Sequence, residues 1–150
     1  MNVRGIELLR AAWGAVLLAV PGLVLTSMRA VQVDRKSIVV VRILGARHLV
    51  QAMSSGINPS PEVLAAGVWV DTVHSMTAVG LAVADRNRLQ GGLADSVVAA
   101  AWALLGRRHL HTGKFEVRPM SARDRLAYLV IGNLPGGRAL MSQARQIRQP

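Results

Sequence analysis

Four strongly apolar windows, separated by short polar segments, dominate the pattern of the chain; they cover residues 6–26, 38–53, 62–84 and 91–106. A helix needs roughly 20 apolar residues to cross the hydrocarbon core of a bilayer. Backbone groups in lipid must also be hydrogen-bonded within the segment that crosses it. The pattern therefore predicts an all-α integral membrane four-helix bundle over residues 1–110. Because the second window is short, flanking residues would extend it or the bilayer would thin around it. Arg107 and Arg108 are expected to end the fourth.

Local signals refine the ends of these windows. Pro21 predicts a kink in the first helix. Ser60, Pro61 and Glu62 predict the start of the third, as an N-cap, a first-position proline and a first-turn acid. The first window could instead be a signal peptide. Glu7 within its basic region and the lack of a small-residue cleavage motif favour a retained helix.

A soluble four-helix bundle is the alternative architecture, and it predicts a polar outer face on every helix. The window 62–84 has no such face. Its apolar residues cover most of the helix circumference, and they are Val63, Leu64, Val68, Val70, Val73, Val79, Leu81 and Val83. The pattern therefore favours a membrane protein.

Composition adds a charge asymmetry to this picture. The chain has no Cys and a formal net charge of +10, although 51 % of it is hydrophobic. Residues 111–150 predict a basic amphipathic tail on the membrane surface, with short helices at 123–133 and 138–148; a partly disordered tail is the alternative. We expect anionic lipid rather than nucleic acid as its partner. The expected headgroup contacts are Arg107, Arg108, Lys114, Arg118, Arg123 and Arg125.

Polar residues inside the apolar windows are the candidate site. A charged side chain at the centre of a membrane helix costs about 3 kcal/mol, so such groups need partners. We expect Arg47 to pair with Asp71 and Arg42 with Asp95, although Arg42 could instead reach the membrane surface. The predicted network comprises Arg42, Arg47, His48, Gln51, Asp71, His74, Ser75 and Asp95. It would act as structural glue, or line a cavity for a headgroup, an ion or a proton.

Catalytic and cofactor interpretations find less support in the sequence. His48 and His74 on facing helices could ligate a haem, but nothing else indicates a porphyrin pocket. Asp71, His74 and Ser75 have the residue types of a hydrolytic triad, yet no oxyanion hole is in view. We therefore expect no catalytic residues, no metal and no cofactor.

Three stretches carry a family resemblance: RILGARHLVQA from Arg42, DTVHSM from Asp71 and LADSVVAAAWALLG from Leu93. With these the chain resembles small four-helix membrane proteins of unknown function from actinobacteria, over residues 5–106. The resemblance implies the topology and no activity.

These patterns predict a non-enzymatic protein, an accessory subunit or homo-oligomer of a bacterial inner-membrane assembly. A small transporter or lipid-binding protein that uses the polar cavity is the alternative, and a membrane-embedded enzyme is the third. More of the cations near the membrane fall on the side of the two termini. The protein is therefore expected to be multi-pass with both termini in the cytoplasm.

Overall fold

The computed structural model describes residues 3–27, 33–56, 59–116 and 119–149, and within them the fold is all-α. The α-helices are α1 (Val3–Ala19), α2 (Pro21–Ser27), α3 (Arg35–Ser55), α4 (Pro61–Ala84), α5 (Leu89–Thr112), α6 (Ala122–Gly132) and α7 (Gly137–Arg148), with a 3₁₀ turn at Arg86–Arg88. The all-α prediction is confirmed. The prediction of a four-helix bundle followed by two short tail helices is wrong in its count, because the described residues form seven α-helices.

The first apolar window breaks into two helices. The chain bends by 96° between Gly5–Ala19 and Pro21–Ser27. Pro21 has no N–H to donate to the preceding turn, and its ring clashes with that turn, so α1 ends before it. The fixed φ angle of the same proline suits the first position of α2. The predicted kink is thus a sharp corner.

Helices α3 and α5 are longer than their apolar windows. Helix α3 begins at Arg35, three residues before its apolar window, because the Asp34 carboxylate caps it and accepts a 2.6 Å hydrogen bond from the Ser37 backbone N–H. At the other end α5 runs through Arg107 and Arg108 as far as Thr112. The prediction that these cations end the helix is wrong, since arginine is a good helix former. The start of α4 is as predicted, with the Ser60 Oγ accepting from the Val63 N–H.

One described helical stretch, residues 86–112, is long and apolar enough to cross a membrane by length and composition. The bent pair α1 and α2 would be a second if the two helices form one span. The other helices of the described residues do not meet both criteria.

The chain divides into two compact units that are interleaved in sequence. The first unit comprises Met1–Ile57 with Met76–Ser96, and the second comprises Asn58–Ser75 with Val97–Pro150. Helices α4 and α5 therefore contribute residues to both units. The predicted tail, 111–150, belongs to the second unit together with parts of α4 and α5.

In the first unit α1 and α3 pack through two glycines. A Cβ atom added to Gly14 would lie 2.8 Å from the carbonyl oxygen of Gly45, and one added to Gly45 would lie 2.8 Å from that of Gly14. Gly14 faces His48 and Leu49, whereas Leu17 and Leu18 face Gly45, so the helices run antiparallel. Small residues allow this backbone approach. Beside the crossing, Leu17, Leu25 and Val41 form a small apolar core.

The core of the second unit lies where α6 and α7 pack on parts of α4 and α5. Its buried residues are Leu64, Ala65, Leu110, Ile131, Met141 and Ala144. Gly136, at a φ of 74°, turns the chain from α6 into α7. Gly137 follows so close to the backbone of Ile131 that no side chain would fit. The two tail helices, confirmed in position, thus form a tight hairpin that covers an apolar core.

The glycine crossing generates a stability prediction. We expect Gly14→Ala to destabilise the α1–α3 pair by roughly 1–3 kcal/mol, because its Cβ would press on the Gly45 backbone. The measurement is thermal unfolding followed by circular dichroism in detergent micelles. Gly22→Ala is the matched control, since a Cβ there meets no heavy atom within 4 Å. Equal unfolding temperatures for the two variants would contradict the crossing.

Candidate functional site

Polar side chains line one end of the α1–α3 interface in the first unit. Glu7 and Arg10 are buried on α1, and the Arg10 Nε atom lies 4.0 Å from the Glu7 Oε2 atom. On α3 the buried polar residues include Gln51 and Ser55. Because Gly14 lies opposite His48 and Leu49, the antiparallel register brings these four polar residues to the same end of the helix pair. The interface is therefore apolar at the Leu17 end and polar at the other.

The structure places the predicted network residues at different depths. His48 and Asp71 are almost fully buried, at 1 % and 0 % exposure, and Gln51 is also buried. Arg47, His74, Ser75 and Asp95 are half-buried, whereas Arg42 is exposed. Arg42, Arg47, His48, Gln51 and Asp95 belong to the first unit, and Asp71, His74 and Ser75 to the second. The pairings of Arg47 with Asp71 and of Arg42 with Asp95 stay predictions.

The second unit contains a buried ion cluster that the sequence does not predict. The Arg148 guanidinium donates two hydrogen bonds of 2.6 Å to the Glu62 carboxylate, one from Nε and one from Nη2. Its Nη2 also lies 3.5 Å from the Asp124 Oδ2. The Ser60 hydroxyl donates a 2.6 Å bond to the other oxygen of Asp124. This fork-to-fork geometry is the strongest form of ion pair available to side chains.

The cluster also joins three helix ends. Glu62 lies in the first turn of α4 and Asp124 in the first turn of α6, where the positive ends of the helix dipoles favour a carboxylate. Arg148 lies in the last turn of α7, where the dipole favours a cation. Asp124 additionally closes a capping box, accepting from the Ser121 N–H at 2.9 Å. Helix ends and ion pairs therefore stabilise one another.

These contacts shift the pKa values of Asp124 and Arg148. Burial by itself raises the pKa of Asp124, but hydrogen bonds from Ser60 and Ser121 and the charge of Arg148 outweigh it and hold that pKa below its ordinary value of 3.8. The pKa of Arg148 is raised, first by its hydrogen bonds to Glu62 and then by the two carboxylate charges. Both groups thus stay charged at neutral pH.

Two further polar contacts dock the α6–α7 hairpin. The Trp69 indole N–H on α4 donates a 2.9 Å hydrogen bond to the Pro135 carbonyl in the hairpin turn. The Gln143 side-chain amide on α7 lies 3.0 Å from the His111 Nδ1 atom at the end of α5. Together with the ion cluster, they fix α7 at its start, middle and end.

A groove of about 600 Å³ opens along this hairpin. Its cations are Arg138 and Arg145, and the Arg145 guanidinium lies 4.6 Å from the centre of the Tyr128 ring. None of the described residues that line it is acidic. They are Tyr128, Leu129, Gly132, Asn133, Arg138, Met141, Ser142, Arg145, Gln146 and Gln149. The groove can therefore accept an anion beside an apolar surface.

The predicted headgroup-contact residues lie at the surface of the described chain. Arg107, Arg108, Lys114, Arg123 and Arg125 are exposed. Arg118 lies outside the described residues. Among those residues, no group of three or more His, Asp or Glu side chains could hold a metal ion.

The ion cluster predicts strong coupling between Glu62 and Arg148. We expect Glu62→Gln and Arg148→Gln each to cost about 3–5 kcal/mol, because each leaves a buried charge without its bidentate partner. The double variant should cost much less than the sum. Denaturant unfolding of the four proteins measures the coupling. An Arg138→Gln variant, which removes a groove cation, controls for net charge. Additive losses would show that the pair does not form.

The acidity of Asp124 predicts a pH dependence. Because its pKa is lower in the folded than in the unfolded protein, its contribution to stability is complete above pH 3.8 and is lost as the pH falls further. We expect Ser60→Ala, which removes one hydrogen bond that lowers the pKa, to move this loss to higher pH. Unfolding measured from pH 6 to pH 2 tests it. If Asp124→Asn left the acid unfolding transition unchanged, a group other than Asp124 would be responsible for the loss of stability.

Comparison of this chain with known protein families, with characterised proteins and with solved structures finds no match, so the resemblance to small actinobacterial membrane proteins stays a prediction.

Proposed function

We propose that this protein is a non-enzymatic integral membrane protein that works as a subunit of an inner-membrane assembly. One observation carries the proposal: several charged and polar groups are buried on the same helices that expose many large apolar side chains. Soluble domains show the opposite arrangement, and a large exposed apolar surface marks contact with lipid or with another protein.

This combination of buried polar and exposed apolar side chains recurs on successive helices. On α3, His48 and Gln51 are buried while Ile43 and Val50 are exposed by 60 % and 66 %. On α4, Asp71 is buried while Leu81 is 71 % exposed. Polar groups in a membrane protein face the protein interior, because ionised groups in contact with lipid are costly. The same logic applies to α1, where Glu7 is buried and Leu8 is exposed.

Association with further helices accounts for a second feature of the surface. Gly80 and Ala84 lie one turn apart on α4 and both are exposed, and a Cβ atom at Gly80 would meet no heavy atom within 4 Å. Small residues on an outer face let another helix approach closely in a membrane. A second copy of the chain is the simplest partner for this face.

The membrane location can be tested by cysteine scanning, since the chain has no native Cys. We expect single cysteines at Ile43, Leu81 and Leu104 to resist a membrane-impermeant maleimide in native membranes. Cysteines at Asn87 and Ser121, which are exposed between helices, should react. After solubilisation in sodium dodecyl sulfate all five should react, which controls for intrinsic reactivity. A chain that leaves the membrane in carbonate, or equal labelling at all positions, would refute the proposal.

The oligomeric state tests the subunit role separately. We expect Gly80→Ile to weaken self-association by about tenfold or more, which corresponds to roughly 1.4 kcal/mol, without lowering the thermal stability of the protomer. Gly22→Ile, also at an open position, should change neither quantity. Light scattering and native mass spectrometry in mild detergent provide the measurement. A wild-type protein that stays monomeric at all concentrations would exclude a second copy as the partner.

A further inference from the structure

We propose that the groove between α6 and α7 binds the headgroup of an anionic phospholipid, with an acyl chain lying along the outer face of α6. The inference rests on the proposed membrane location and assigns to one site the lipid contact that the sequence spreads over a basic tail. Three properties of the groove support it: its charge, its apolar border and its hydrogen-bonding groups.

The groove carries a positive charge that no acidic side chain in its lining neutralises. Arg138 and Arg145 are its cations, and no described lining residue is acidic. Stacking on Tyr128 holds the Arg145 guanidinium in place. A guanidinium fork is well matched to a phosphate, because its parallel N–H groups can bind two oxygens at once. An anion thus finds pre-positioned donors here.

The apolar border distinguishes a lipid from a small soluble anion. Leu129 lines the groove and is 62 % exposed, and Leu126 and Val130 extend the same exposed apolar stripe along α6. Their spacing of three and four residues places them on one helix face. A free phosphate would leave this stripe in water. A molecule with an anionic head and a hydrocarbon chain covers both the cations and the stripe.

The remaining groups favour a headgroup that carries hydroxyls. Gln146 and Gln149 contribute side-chain amides, which both donate and accept hydrogen bonds. Met141, buried in the core of the unit, forms part of the groove wall. Phosphatidylglycerol has the required chemistry: one phosphate charge and a glycerol head with two hydroxyls. Phosphatidylcholine would place a quaternary ammonium beside Arg138 and Arg145 instead.

Native mass spectrometry of the full chain in nonionic detergent tests the site. The protein is offered phosphatidylglycerol and phosphatidylcholine in equal amounts, and the bound lipid is counted. We expect the wild type to bind one phosphatidylglycerol tightly. The Arg138→Gln, Arg145→Gln double variant should bind it with an affinity lower by about tenfold or more. Arg107→Gln with Arg108→Gln removes the same charge from exposed positions on α5 and should bind as the wild type does. An equal loss of lipid affinity in both double variants would show that diffuse surface charge, and not the groove, binds the lipid.

A second variant separates binding from folding and charge. A Cβ atom at Gly132 meets no heavy atom within 4 Å, and this residue lines the groove. Gly132→Leu should therefore fold and keep every arginine, yet occupy the space of the lipid and reduce its binding by about tenfold. Wild-type affinity in this variant would overturn the site.

Competition identifies the source of the anion. Inorganic phosphate at millimolar concentration should not displace phosphatidylglycerol, whereas a short-chain phosphatidylglycerol should. Displacement by phosphate alone would show a site for soluble anions. Because lipid binding is measured in detergent, its result does not depend on the outcome of the cysteine scan in native membranes. A chain that failed that scan but held the lipid would refute the span proposal only.

Discussion

The bidentate pair between Glu62 and Arg148 is the interaction on which the second unit depends. It joins the first turn of α4 to the last turn of α7, and through Asp124 and Ser60 it also holds the start of α6. Replacing such a pair by apolar residues is often tolerated, but removing one partner leaves a buried charge. The pair therefore holds the end of α7 at the start of α4 and helps to keep the hairpin, and with it the groove, against the core.

Burial of polar groups organises both units, although by different means. In the first unit two glycines let α1 and α3 approach closely, and Glu7, Arg10, His48 and Gln51 are buried in or near this interface. In the second unit three helix ends meet around one guanidinium. In both, large apolar side chains are left at the surface. An environment of acyl chains or of neighbouring helices stabilises that surface, whereas water does not.

The sequence predicts local features of this fold well and distant ones poorly. Ser60 and Pro61 predict the start of α4, because helix capping depends on neighbours within one turn. Pro21 predicts a kink but not the observed corner, since the proline fixes the position of the break and not its angle. Arg107 and Arg108 predict an end of α5 that the structure does not have, because arginine favours helix. The Glu62–Arg148 pair has no local signature, as its members are 86 residues apart. The groove also needed the structure, because only the turn at Gly136 places Tyr128 beside Arg145.

The separation of Glu62 from Arg148 has a consequence for biosynthesis. A ribosome makes the carboxylate of Glu62 long before the guanidinium that neutralises it, which follows 86 residues later in the chain. Throughout that interval the start of α4 carries an anion whose final counter-ion does not yet exist. Water or other polar groups must accommodate that charge until α7 has been synthesised. The contacts of Arg148 that complete this unit can therefore form only late in synthesis, after α7 has been made.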